Sequence, residues 1–512
     1  VWNHVHSQSL TSFSAFTSAN PGSPWVDSCI AMLLRNGYLY FQTGSAAREI
    51  QMTQQNGEVE QGGQQEQLVY GLDDRPPVVQ AFMAGLQHVL SGFVSIIAPP
   101  LMICGAIGLP FDHTNYVVSM ACVVSGMAIF IQARRFGPIG SGMLSIQGTS
   151  FSFLGPLQQA GRVSVQGGAS PSVTLSMLLV VCFCGSFIEM VLSRFLHLCR
   201  KIITPLVTGV VVMLIGATLI NVAVIDMAGG YAAMGDGTFG SLQNLGLALL
   251  VLAVIVGCNM QRNVYLRMGS IILGVVAGYA AAAMLGVVDF SPLRELRGFS
   301  LPLPFRYWSL EGIRHFSWGA FVPVAIIYVF TLIESIGDLT ATSMVSGQPI
   351  SGPVYVERIK AGTLGDGFNS MLAAVFNTFP NTTFSQNNGI IQLTGVASRY
   401  VGYYAAGILV LLGIFPVVGG VFQCMPRPVL GGATFIMFGS VAVAGIRILA
   451  QHVGGRRELL ILSVSLGLGL GVTFVPDVTK QLPSMLQNVF SSGISAGGIA
   501  AIVLNLLLPV SE

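Results

Sequence analysis

Glu334 and Asp338 lie four residues apart in the apolar run FTLIESIGDLTATSMVS, a spacing that sets both carboxylates on one helix face. Further on, TTFSQNNGIIQLTG (382–395) carries Gln386, Asn387, Asn388, Gln392 and Thr394 between two long apolar segments. Amides in hydrocarbon cost on the order of several kcal/mol each unless partnered, and intramembrane carboxylates are functional-site candidates by default. A carboxylate accepts hydrogen bonds, whereas a carboxamide both donates and accepts. Glu334 with Gln386 therefore suits a flat heterocycle bearing N–H and C=O edges, with Phe151 able to cover its face by stacking. A permanently anionic ligand would find only helix ends to neutralise it, because neither short polar stretch in the chain carries lysine or arginine.

The elements that must position these groups follow from composition. The chain has 512 residues, is 53% hydrophobic and only 9% charged, and has a mean hydropathy of +0.72. Soluble domains are about 25% charged, so this is an all-α polytopic membrane protein with the lipid bilayer as its solvent. The net charge of +2, with basic residues scattered between spans, excludes nucleic acid as a partner. Eight cysteines (Cys29, Cys104, Cys122, Cys182, Cys184, Cys199, Cys258 and Cys424) form no CxxC pair. They read as small hydrophobes, so no metal site, disulfide framework or cofactor is expected.

Residues 1–51 lack sustained apolar periodicity and any signal-peptide pattern. They are expected to be upstream sequence, non-native or disordered, ahead of a cytoplasmic tail at 52–77 that opens on Met52. Apolar runs then follow at 78–103, 115–133, 139–156, 171–193, 202–223, 241–258, 267–288, 317–342, 361–379, 383–397, 400–424, 428–450, 458–475 and 487–509. A full span needs ~20 residues, so of these fourteen segments the third and tenth, short, Gly-rich and polar, read as half-spans. With a cytoplasmic N-terminus, thirteen Lys and Arg fall in the even connections against seven in the odd ones. That asymmetry predicts cytoplasmic termini.

The halves echo one another. Pro205, Gly209 and Gly216 open the fifth segment with the same spacing as Pro428, Gly432 and Gly439 in the twelfth, and the two half-spans are also seven segments apart. An odd number of segments per repeat inverts the second copy, which predicts a 7+7 inverted repeat. The first half-span, GSGMLSIQGTSFSFLGP, sets Gly140, Gly142, Gly148 and Gly155 around Gln147, Thr149, Ser150 and Ser152. Glycine weakens a helix by about 1 kcal/mol against alanine. Each half-span is thus expected to hold extended or kinked backbone and to aim a half-helix N-terminus at the midplane.

QNNGIIQLTG at 386–395 resembles the signature motif of the nucleobase–ascorbate transporter family, also called nucleobase–cation symporter family 2. GLDDRPP, SIQGTSFSF, AGGYAAM, IESIGDLTAT and QNNGIIQLTGVASRYVG are similar to strings of its bacterial xanthine permease group, over about residues 68–510. The resemblance implies a core domain (78–193 and 317–424) and a gate domain (202–288 and 428–509), with an external loop at 289–316. It also implies a homodimer that imports a purine nucleobase, xanthine foremost, together with a proton. By position, Glu334 resembles the family's substrate-binding glutamate, Gln386 its purine-recognising glutamine and Phe151 its stacking aromatic, while Ser385 supplies a backbone contact. Asp338 and Asp366 match acidic positions needed for transport, and His88 matches a histidine supporting the site, as Asn387 and Thr394 of the motif are also expected to do. Ser150 stands where some xanthine permeases have asparagine, which leaves open a broader pocket for other purines, uric acid or uracil.

Structural readings stand beside these. Glu334 would pair with a neighbouring helix to fix packing, Asp338 would make a structural hydrogen bond, Gln386 would serve as interhelical glue, Phe151 and His88 as core, and Asp366 as a cap near the start of its segment. Glu189, close to Arg194, reads as a boundary charge, and Asn377 and Asn381 around Pro380 as turn residues. Rival classes are an anion exchanger, a channel and an intramembrane aspartyl protease. The protease is disfavoured because SIGD replaces GxGD and no YD partner appears.

Overall fold

The computed structural model describes residues 68–196, 204–263, 266–267, 269–296, 298–450, 452, 454–490 and 492–509. The expected upstream segment 1–51, the tail to residue 67, and Cys29, Cys199, Arg200, Lys201 and Arg297 lie outside the described residues.

The first half runs α1 (Val78–Ala106), α2 (Phe111–Arg134), β1 (Gln147–Thr149), a 3-10 turn (Phe151–Phe153), α3 (Leu154–Gln166), α4 (Pro171–Arg194), α5 (Pro205–Met227), α6 (Gly230–Asp236), α7 (Leu242–Asn259) and α8 (Ser270–Met284). After the outer connection come α9 (Leu310–Arg314), α10 (Trp318–Val345), α11 (Gly352–Val375), β2 (Asn381–Thr383), α12 (Gln386–Thr394), α13 (Arg399–Ile414), α14 (Pro416–Gln423), α15 (Arg427–Ala450), α16 (Arg456–Phe474), α17 (Ser484–Phe490) and α18 (Gly493–Leu507). Hydroxyl caps begin many of these helices: Ser170, Thr204, Ser241, Ser317 and Ser492 each accept a bond from an N–H in the first turn, and Pro171 and Pro205 follow directly as preorganised first residues.

Eight of the described helices are long and apolar enough to cross a membrane, nine if α13 and α14, bent by 75° where Pro416 interrupts the helix, count as one span. The all-α expectation meets one exception, the two three-residue strands. Boundaries differ as well. The third segment continues to Gln166 as a half-helix, and the last is split into α17 and α18. The ninth begins at Gly352, so Asp366 lies deep inside α11 and is no helix cap; Glu357, Arg358 and Lys360 in its first turns hid that start in a hydropathy reading. Asn381 belongs to β2, while Asn377 does occupy the left-handed region at φ 66°.

The stretch 68–77, expected as tail, is fastened to the end of the QNNG motif. Val69 N–H donates to Gly395 O, Ala397 N–H to Tyr70 O and Arg399 N–H to Leu72 O, and Arg399 pairs with Asp73 at 2.7 Å. Two strings that looked alike only as family marks are thus one structural unit.

Helix packing sorts into two groups. In one, α2 lies on α13, α4 on α11, and α1 on α13; in the other, α5 lies on α15, α7 on α8, and α16 on α18. The groups meet along α1 and α10, through contacts such as Phe151 with Phe438 and Phe330 with Gly498. The α5–α15 crossing is close because it is cut from small residues. A Cβ at Gly216 would strike the Ala442 backbone and one at Gly445 the Met213 backbone, whereas Gly439, the sequence counterpart of Gly216, faces open space. The glycine echo between halves is one of spacing, not of contact.

Expected outcome: Gly216→Leu, which overpacks backbone against backbone, abolishes a monodisperse folded peak in detergent, while Gly439→Ala leaves peak and melting midpoint unchanged. Size-exclusion chromatography with thermal denaturation of both variants checks this.

Candidate functional site

The two half-spans meet by pairing their extended backbone. β1 and β2 run antiparallel with Gln147 opposite Thr383, Gly148 opposite Thr382 and Thr149 opposite Asn381. Phe384 N–H to Ile146 O and Ser150 N–H to Pro380 O, both 2.9 Å, extend the ladder at its ends. Backbone that leaves the helix at membrane depth must find partners within the protein, and here each half-span satisfies the other. Glycine is required at Gly148, because a Cβ there would enter the Phe384 ring.

A half-helix starts from each strand. Ser150, fully buried, caps the turn into α3 by accepting from Ser152 N–H at 3.3 Å. Ser385 and Gln386 stand exposed at the start of α12. Phe151 is half-buried, its ring edge-on to Phe438 of α15 with centroids 5.0 Å apart. Asn387 fastens the half-spans together, donating to Leu144 O at 2.6 Å. Thr394 is at the far end of α12, donating to Ile390 O of its own helix at 2.8 Å.

α10 brings its acids to this crossing. Glu334, half-buried, accepts from Ser152 Oγ at 3.2 Å, and Asp338 accepts from Thr383 Oγ1 at 3.3 Å, so one acid answers each half-span. One turn further, Thr342 Oγ1 donates to Asn388 Oδ1 at 2.7 Å and ties α10 to α12. Glu334 and Gln386 are therefore carried by elements that pack on each other at the strand crossing. Asp366 is fully buried behind the strands and accepts from Ser335 Oγ and, at 2.6 Å, from Gln132 Nε2. Gln132 in turn accepts from Ser141 N–H at 2.8 Å, linking Asp366 to the start of the first half-span. His88 is buried on α1, with neither ring nitrogen hydrogen-bonded among the described residues; with Ser91, Phe384, Gln386 and Asn387 it lines a small recess.

The sequence reading gave no role to the donors that serve these acids: Gln132, Ser152, Ser335 and Thr383. Gln132 carried a legible signal, as an amide following the apolar run of α2, whereas hydroxyls in membrane helices commonly bond their own backbone and carry little. Glu189, read as a boundary charge, is buried in α4 and correctly belongs to the interior. Among the described residues, no ion pair involves Glu334, Asp338, Asp366 or Glu189, and no group of His, Cys, Asp and Glu side chains is arranged to hold a metal ion. Carboxyls held by hydroxyl and amide donors, with no cation beside them, can take hydrogen bonds from a neutral polar ligand and can exchange a proton.

Comparison with known proteins finds permeases. A permease family model, Xan_ur_permease, matches residues 79–478. The chain is 50% identical over 449 residues to the xanthine permease XanP of Escherichia coli, covering 87% of this chain and 96% of that protein. It is 45% identical over 442 residues to the xanthine permease XanQ of the same organism (86% and 94% covered), and 31% identical over 489 residues to a purine permease of Emericella nidulans (86% and 83%). In fold it is similar to the transmembrane domain of the cyanobacterial bicarbonate transporter BicA, with TM-score 0.54, 14% identity, and 82% of this chain and 99% of that one covered. SLC26A9 is similar too, with TM-score 0.55, 13% identity, and 84% and 66% covered.

Expected outcome: Asn387→Leu leaves Leu144 O unpaired in the interior, a loss of about 1–3 kcal/mol, and lowers the melting midpoint in detergent. Thr394→Ala, removing only local bonds, to Ile390 O of its own helix and from the Val396 N–H just beyond it, lowers the midpoint less. Differential scanning fluorimetry of the two variants reads the contrast.

Proposed function

We propose xanthine, and purine nucleobases more broadly, as substrate and the proton as coupling ion for this chain, which belongs to the nucleobase–ascorbate transporter family. It is a multi-pass membrane transporter, not an enzyme. The observation that carries the substrate reading is the convergence at the strand crossing of a half-buried acid, Glu334, on the helix that packs against the half-helix bearing Gln386. Glu334 accepts from purine N–H groups, Gln386 pairs with an adjoining edge, Phe151 covers the ring face, and the Ser385 backbone closes the contact set. His88 and Asn387 hold the Gln386 side of the pocket. Ser150, spent on capping α3, leaves room beside the ring, which favours acceptance of several purines.

Asp338 and Asp366 accompany Glu334 in proton coupling. A proton crossing 100 mV releases ~2.3 kcal/mol, and each unit of pH gradient adds ~1.4 kcal/mol. One proton therefore sustains an accumulation ratio well above tenfold.

The finer architecture is part of the same reading: fourteen segments as a 7+7 inverted repeat, a core domain rocking against a gate domain, a homodimer, and cytoplasmic termini in the bacterial inner membrane. Its support is that the packing partners repeat under a shift of seven segments. The pair α2–α13 answers α4–α11, α1–α13 answers α4–α10, and α7–α8 answers α16–α18, while α5–α15 and β1–β2 map onto themselves. Bicarbonate and SLC26 carriers share the fold at low identity. The absence of lysine and arginine from β1, β2 and the starts of both half-helices (139–156 and 381–395), with Arg162 set in the later turns of α3, favours a neutral heterocycle here over an anion.

Expected outcome: Glu334→Gln abolishes accumulation of labelled xanthine in cells, and an uncoupler does the same to the wild type. Proton-driven uptake at the normal level by the variant would remove Glu334 from the mechanism. Competition by uric acid, guanine, hypoxanthine and uracil measures the breadth of the pocket, with purines expected to compete and uracil not.

A further inference from the structure

Glu189 is a buried acid that the scheme above leaves unused. Its side chain, on α4, is 1% exposed, and neither carboxylate oxygen has a hydrogen-bond partner among the described residues. The surrounding contacts fix where it lies. One turn earlier, Gly185 rests against the Tyr328 ring of α10, whose hydroxyl donates to Cys182 O at 2.7 Å. On the other side Gly367 of α11, the neighbour of Asp366, rests against Ser186 and Met190, the residue after Glu189. Glu189 therefore occupies the wedge between α4, α10 and α11 at the level of Asp366. Among the described residues, the titratable groups near enough to act on it through charge are Asp366 from α11 and Glu334 and Tyr328 from α10, with no cation among them. On its own helix Arg194 stands five residues on, ~7.5 Å along the axis, at the α4 C-terminus.

A carboxyl with no donor and no cation is a poor packing element, since an apolar side chain of similar volume fills such a wedge without desolvating a polar group. We propose that Glu189 is a further proton carrier of the coupling path, exchanging a proton with Asp366 and passing it toward the end of α4 marked by Arg194. In that step the Asp366 O–H bond breaks and a Glu189 O–H bond forms. Asp366 is left as a carboxylate facing its donors Ser335 and Gln132, Glu189 becomes the neutral acid, and the charge of the pair is conserved. The step reverses when Glu189 releases its proton. The chain then runs from Glu334 and Asp338 at the ligand, through Asp366 behind the strands, to Glu189 at the far side of α11.

This inference rests on the proton-coupled reading above, and the test separates the two. Wild type and Glu189→Gln are reconstituted in vesicles with xanthine as probe. Net uptake driven by a pH gradient is measured across external pH, together with exchange of labelled for unlabelled xanthine at equilibrium, which moves no net proton. Glu189→Gln is expected to lose net uptake by about tenfold or more and to flatten its pH profile while exchange persists; Glu189→Asp, which keeps a carboxyl, restores gradient-driven uptake in part. Wild-type net uptake and pH profile in Glu189→Gln overturn the proposal. So does a parallel fall of exchange and net uptake without rescue by aspartate, which marks a packing role. Should Glu189→Gln not fold, Glu189→Met with Glu189→Asp replaces it, and coupled uptake by the methionine variant is equally fatal. A wild-type protein that moves xanthine without protons, or moves none, sinks the proposed function instead.

Discussion

Peptide groups that abandon the helix within a membrane must be satisfied by protein, and in this chain the pairing of β1 with β2 does that. Six residues of ladder allow both half-spans to stop short, and stopping short is what creates two helix beginnings in the interior. Ser150 then caps one beginning, and Asn387 ties the other to the first half-span through Leu144. Gly148 keeps the crossing thin enough for the Phe384 ring to fill it. Without the ladder there is neither a place for Gln386 to project from nor a partner for the acids of α10.

The acids are arranged by depth. Glu334 and Asp338 each take one donor from a half-span and keep the rest of their capacity for other partners, whereas Asp366 is met by donors on both oxygens and has no exposed surface. That gradation, from open to enclosed, fits groups with different tasks in the proposed cycle: contact with ligand in front, storage or relay of charge behind. The anion carriers that share the fold at low identity use the same scaffold of helices, so the side chains projecting from it, not the scaffold, set what is carried.

Much of this was legible in the residues. Hydrophobic runs mark where helices lie, because burial in lipid tolerates little else. The polar, glycine-rich interruptions mark the half-spans, because nothing else explains amides at that depth. What was not legible has equally physical causes. α11 begins with Glu357, Arg358 and Lys360, so its first turns look like loop to a hydropathy window. The hydroxyls of Ser152, Ser335 and Thr383 are indistinguishable in sequence from those that bond their own helices, and Glu189 was judged by its sequence neighbour Arg194 when three helices enclose it. Long-range pairings such as Tyr70 with the end of the QNNG motif depend on which loops approach one another, and single-chain periodicity carries none of that.

The strand ladder also constrains how the molecule is made. β1 emerges during synthesis well ahead of β2, with α3 to α11 between them, and among the described residues β2 supplies its rungs. The first half therefore enters the bilayer with a provisional stretch of backbone, solvated or loosely sheltered, until the second half arrives to complete it. Assembly of the site is a late event of biogenesis: a nascent chain halted before β2 carries every helix from α1 to α11 and still lacks the strand pair on which the site is built.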